Sequence, residues 1–122
     1  MGDPRHELGL RAERAVGSWL EASGWEILDR RWRGPSGELD LVCRDADRVL
    51  VAVEVKVRTT GRAGSGAESL SRRQLVRLRA SVGQYAASHA ARGSAIRVDL
   101  VEVAHGTGDD WQMRRLPGVG SW

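Results

Sequence analysis

What this 122-residue chain lacks narrows the field before anything it contains. With one cysteine, Cys43, no internal disulfide can form, and a cytoplasmic setting is the expectation. Cys43 lies in an apolar run and reads as a small buried side chain. No apolar stretch approaches the roughly 18 residues that span a bilayer, so no membrane partner is expected. The start, "MGDPRHELGLRAERA", has no apolar segment after a basic one, which argues against an export signal. A P-loop, a CxxC pair and serine or cysteine nucleophile motifs are missing. His6, His89 and His105 lie far apart and show no metal-ligand spacing, and His89 falls near the stripe of a helix, where packing or hydrogen bonding is expected. There is no internal repeat. The length suits one domain with its own core, taken as residues 1–117 with a flexible tail over 118–122. Lysine is the scarcest chemistry of all: of 19 basic side chains 18 are arginine, and Lys56 is the only lysine.

What is present is unevenly placed positive charge. The net charge is only +3, but the pI is about 10.0. Between positions 58 and 79 stand Arg58, Arg62, Arg72, Arg73, Arg77 and Arg79 against one acid, Glu68. Arg30, Arg31 and Arg33 cluster around Trp32. Such patches suit a polyanion, nucleic acid above all, or simply a solvated surface. Trp32 within "RRWRG" has two readings, stacking on a base or packing into the core.

Periodicity orders the chain. Leu8, Ala12, Ala15, Val16, Trp19 and Leu20 gather on one face of a helix over about 6–23, which Gly24 stops. Strands are expected at 25–33, 38–44 and 48–58, the last two joined as a hairpin across "DAD". A Gly/Ser-rich loop covers 59–69. Ser71 and Gln74 form a capping box that opens a second helix to about position 91. Strands at 95–105 and 111–116 complete an α-β-β-β-α-β-β order: an α/β domain with a mixed sheet of about five strands flanked by two helices.

Charges interrupt the second and third strands. In "VLVAVEVKVR" the odd positions 49–57 are all valine, while the even face runs Leu50, Ala52, Glu54, Lys56, Arg58. Residues two apart share a face, so one side of this strand starts apolar and ends charged. In "GELDLVC", Glu38, Asp40 and Val42 share one face and Leu39, Leu41 and Cys43 the other. If both apolar faces pack on one helical layer, Asp40, Glu54 and Lys56 meet on the opposite side. Two carboxylates with a backbone carbonyl such as that of Val55 suit Mg²⁺ or Mn²⁺. Such a cation acidifies a bound water and polarises a phosphoryl oxygen, and a compact ammonium beside it can orient the attacking water. The plainer reading is a structural ion pair at a strand end. Glu13 falls about 20° beyond Leu20 on the helical wheel, where it can assist the metal or pair with an arginine.

At these residues the chain resembles the YraN family, small bacterial proteins predicted to be nucleases. The stretches that carry the resemblance are "GLRAERAVGSWLEASGWEILDRRWR", "GELDLV", "VAVEVKVR" and "RVDLVEV". The resemblance implies membership of the PD-(D/E)xK nuclease superfamily and a restriction-endonuclease-like fold similar to Holliday junction resolvases. It carries the metal-binding acids onto Asp40 and Glu54, the lysine onto Lys56 and the first-helix acid onto Glu13. The aspartate follows "GEL" rather than a proline, and "SRRQ" has Arg72 and Arg73 where many relatives have a lysine. The expected function is a metal-dependent endonuclease acting on DNA, including branched or non-canonical structures, with Arg31, Arg33, Arg58, Arg62, Arg72, Arg73 and Arg77 on the backbone. A homodimer would serve a symmetric two-strand cut. The alternative is a non-catalytic nucleic-acid-binding or adaptor domain on a nuclease scaffold.

Overall fold

The computed structural model describes residues 3–58, 70–89, 91, 94–105 and 110–119. The elements run α1 (Pro4–Ala22), β1 (Glu26–Gly34), β2 (Gly37–Arg44), β3 (Leu50–Arg58), α2 (Arg72–Ser88), β4 (Ile96–His105) and β5 (Trp111–Leu116). The strands form one sheet in the order β1-β2-β3-β4-β5. Every neighbouring pair is antiparallel except β3 and β4, which are parallel because α2 carries the chain back between them. This is the mixed five-stranded α/β sheet with two helices that the sequence led us to expect.

Local chemistry sets the helix ends. Asp3 caps α1 by accepting the Arg5 N–H, and Pro4 occupies the first turn, where a missing N–H costs nothing. At the other end the Trp25 N–H reaches the Leu20 carbonyl and the Gly24 N–H reaches that of Glu21. Gly24 makes this closure possible, since its φ is +89°. In α2 the Ser71 and Gln74 side chains each bond the other's backbone N–H, the capping box read from the sequence.

The helices lie on opposite faces of the sheet. Ala12, Val16 and Leu20 of α1 pack with Leu41, Cys43, Val51, Val53, Val101 and Val103. Leu78, Val82 and Tyr85 of α2 pack with Val42, Leu50, Ala52, Val98 and Leu100. Both faces of β3 are therefore buried over its first half, as expected for a central strand that has a parallel neighbour.

One expectation about faces is overturned. Leu39 was to share the face of Leu41 and Cys43, yet Leu39 belongs to the α2 layer and Leu41 to the α1 layer. The alternation breaks at Asp40. Directly across, Arg30 pairs with Leu41 and Trp32 with Leu39, while Arg31 adopts φ +51°. Both strands reverse their facing there: Arg30 lies against Gly17 of α1 and Trp32 packs on the α2 side, with the left-handed Arg31 between them. The rest of the expected arrangement stands: Leu41, Cys43, Val51 and Val53 share the α1 layer, and Glu54 and Lys56 alternate with the β3 valines onto the α2 side.

The expected tail starts more firmly than anticipated. The Val119 N–H donates to the Val98 carbonyl, the Gly118 N–H to Asp99, and Val119 is buried. Positions 120–122 and the Gly/Ser-rich 59–69, with Arg62, lie outside the described residues.

Candidate functional site

The β2–β3 ladder ends at Leu41 opposite Val53. Continuing that register would place Leu39 across from Val55. Instead the Val55 N–H donates to Asp40 Oδ2 at 2.9 Å. A side-chain carboxylate thus substitutes for a carbonyl of the ladder, which satisfies the N–H where the strands part. The break in alternation that moved Leu39 is the same feature that turns Asp40 into this opening.

Glu54 faces the α2 side and is only 8% exposed. Its side chain hydrogen-bonds that of Asp40. Burial is the main cause that pushes the Glu54 carboxyl up to about 9, and the hydrogen bond to Asp40 and its charge add to this. Lys56 and Arg77 pull the other way but are outweighed. Glu54 is therefore held in its protonated form at neutral pH. Lys56 lies two residues along on the same face, half-buried. The stem of Arg77 rests on the start of β2, where a Cβ on Gly37 would stand 3.2 Å from its Cδ.

Glu13 approaches from the other face. Burial first, then the Asp40 charge, raises its carboxyl to about 7, against the lowering effect of Arg31. Arg31 lies 3.9 Å from Glu13 and 3.7 Å from Glu38, and Arg33 donates to Glu38 at 3.1 Å. Asp40 thus stands between one carboxylate under α1 and another under α2. Sequence reasoning overlooked Glu38; its place in "GELD", one strand pair from two arginines, was the available signal.

The other residues singled out in the sequence scatter. Arg58 is bound to Glu102 at 3.1 Å, whereas Arg72 and Arg73 sit exposed in the first turn of α2. Trp32 packs edge-on against Tyr85 with centroids 5.2 Å apart, so its core reading holds and its ring is already engaged. His89 is exposed at the end of α2, stacked on Tyr85 at 3.9 Å and bonded to the Tyr85 carbonyl, rather than enclosed in the core.

Among the described residues no three His, Cys, Asp or Glu side chains stand in a group ready to hold a metal. The donor chemistry nevertheless suits a hard cation: two carboxylates held together by one proton, beside a backbone segment, with a third carboxylate on the far side. Oxygen-only sets of this kind match Mg²⁺ or Mn²⁺ and not the softer metals. Loss of the Glu54 proton would convert the hydrogen-bonded pair into two anionic ligands, which a cation would favour.

Fold and site together define a compact α/β domain with an acid–acid–lysine cluster where two central strands part. The family profile described as "Uncharacterised protein family UPF0102" matches residues 12–103. The chain belongs to this family, which is the YraN family of the resemblance above. A UPF0102 protein of Beutenbergia cavernae is 42% identical over 93% of this chain and 95% of its own length. One from Anaeromyxobacter dehalogenans is 42% identical over 88% of this chain and 80% of its own. One from Mycobacterium tuberculosis is 36% identical over 95% and 94%. No helix among the described residues is long and apolar enough to cross a membrane.

Proposed function

We propose that this protein is a metal-dependent endonuclease that hydrolyses phosphodiester bonds in DNA. One observation carries the reading. Glu54 is buried, hydrogen-bonded to a second acid and held protonated, with the chain's only lysine alongside. A buried acid set against another acid is costly to keep, and such groups concentrate at functional sites.

Asp40 and Glu54 would hold Mg²⁺ or Mn²⁺, joined by the Val55 carbonyl and assisted by Glu13. When bound, the cation supplies an acidified water and a polarised phosphoryl oxygen. Lys56 positions the water and offsets charge that builds on the phosphoryl group; a half-buried ammonium is less screened there than a fully exposed one. Arg77, Arg72 and Arg73 hold the phosphate backbone from α2, and Arg31 and Arg33 from the β1 side, with Arg62 in the same role. The single buried cysteine agrees with a cytoplasmic setting. A homodimer would present two such sites to two strands.

The test is cleavage of duplex, single-stranded and four-way-junction DNA in Mg²⁺ or Mn²⁺, with calorimetry of each metal alone. Lys56→Ala is expected to abolish cleavage while folding and most DNA affinity remain, and Asp40→Asn and Glu54→Gln to lose the metal. Cleavage retained in Lys56→Ala would refute its assignment. Metal-independent binding without product would favour the adaptor alternative.

A further inference from the structure

On the α2 side of the sheet the charged row does not stop at Lys56. In the parallel ladder Lys56 pairs with Glu102 of β4, and Glu102 pairs with Arg114 of β5. Leu100, two residues before Glu102, belongs to the α2 layer, and Leu116, opposite Leu100, packs against it. Alternation then puts Lys56, Glu102 and Arg114 side by side on that face. With strands about 4.8 Å apart, Lys56 and Arg114 stand about 10 Å from each other. Glu102 is buried at 8% exposure, whereas Arg114 is exposed. The carboxylate accepts from Arg58 Nε at 3.1 Å and lies 3.9 Å from Arg114 Nη1.

We infer that Glu102 is a positioning residue that holds Arg58 and Arg114 as a phosphate clamp, seating a phosphodiester neighbouring the one beside Lys56. The inference rests on the reading of the Asp40–Glu54–Lys56 cluster as a nucleic-acid site and extends it to β5, where the sequence had suggested nothing. Three features support it. A buried glutamate between two arginines leaves the row with a net positive charge, as a polyanion requires. It engages Arg58 through Nε rather than through the two-pronged end that fits a phosphate oxygen pair. A long arginine side chain otherwise loses rotamer freedom on binding, and a tether removes that cost beforehand.

Charge alone and positioning predict opposite signs. Removing Glu102 makes the surface more positive, so a merely electrostatic surface would bind DNA more tightly. A clamp that loses its tether binds more weakly. The experiment is fluorescence anisotropy of the full chain with labelled duplex, single-stranded and junction DNA, in EDTA so that no cleavage intervenes, over a salt series. We expect Arg58→Ala and Arg114→Ala each to lower the salt slope by about one, as for one lost phosphate contact. Glu102→Ala should bind several-fold more weakly, and Glu102→Gln, which keeps the acceptor, should bind at least as well as the parent. If Glu102→Ala fails to fold, the exposed Arg114→Ala decides alone. Tighter binding by a folded Glu102→Ala, or unchanged slopes in both arginine variants, overturns the clamp even where Lys56-dependent cleavage stands. A parent protein that binds none of the probes overturns the clamp and the nucleic-acid reading together.

Discussion

Glu54 and Asp99 are both buried carboxylates on adjacent central strands, and the fold treats them in opposite ways. Asp99 is fully enclosed and surrounded by donors. Arg97 gives it Nε at 2.7 Å and Nη2 at 3.1 Å, Arg115 gives Nη1 at 3.0 Å, and the Gly118 backbone N–H lies at 2.9 Å. Arg97 also reaches Asp45 at 2.9 Å, and both guanidiniums lie over the Trp25 ring, at 5.9 and 5.1 Å. Glu54 has another acid as its hydrogen-bond partner and is kept protonated chiefly by its burial, with Asp40 adding to the effect. The first arrangement ties β4, β5 and the β2–β3 turn together and leaves no charge uncompensated. The second leaves Glu54 neutral through its own proton instead of through paired cations. A buried acid becomes a pointer to function only where its neighbours fail to neutralise it.

This contrast can be broken most sharply at Lys56. Its removal should lower cleavage by roughly 100-fold or more, the scale of losing one charge-stabilising group, with little change in unfolding free energy. At the other end Asp99→Ala should leave two arginines and the Gly118 N–H without their common acceptor. It is expected to lose roughly 3 kcal/mol in urea denaturation, by the behaviour of broken buried pairs. A loss below about 1 kcal/mol would mean that Asp99 is no more structural than a surface ion pair.

Glu54→Gln should do the reverse and stabilise. An acid whose carboxyl is raised from 4.5 to about 9 binds more protons folded than unfolded, so its contribution to stability falls as pH rises between those values. The variant should therefore gain roughly 1–3 kcal/mol over the parent near pH 8 and converge with it below pH 4. An equal or lower melting temperature at pH 8 would show that Glu54 is already compensated, as Asp99 is. The same proton predicts that Mg²⁺ or Mn²⁺ affinity climbs with pH toward 9 with proton release, measurable by calorimetry in buffers of different ionisation enthalpy. The smallest effect belongs to Glu13, raised to about 7. Glu13→Gln should flatten a modest step in metal affinity near neutrality, and an unchanged profile would remove Glu13 from the site.

Much of this was legible in the residues. The valines of β3 at alternate positions, the Ser71–Gln74 box and Gly24 fixed elements and ends through local rules of period and capping. Asp40, Glu54 and Lys56 stood out because charge is out of place in an apolar run. The facing of Leu39 was not legible, because the inversion at Arg31 and Asp40 is a property of the paired strands and neither residue type demands it. Glu102 escaped notice as an ordinary polar position in "VDLVEV" until the parallel ladder set it beside Lys56. Asp99, two residues after Arg97, gave no sign of being enclosed.

The sequence by itself determined which segments are helix or strand, their order, and which residues could carry acid–metal–phosphate chemistry, since these follow from spacing along the chain. Only the tertiary structure decided that Asp40 substitutes for a ladder carbonyl, that Glu13 and Glu54 reach it from opposite faces, and that one buried acid is neutralised while another holds its proton. Those outcomes depend on distance and desolvation between strands far apart in sequence, and neither is written in any one of them.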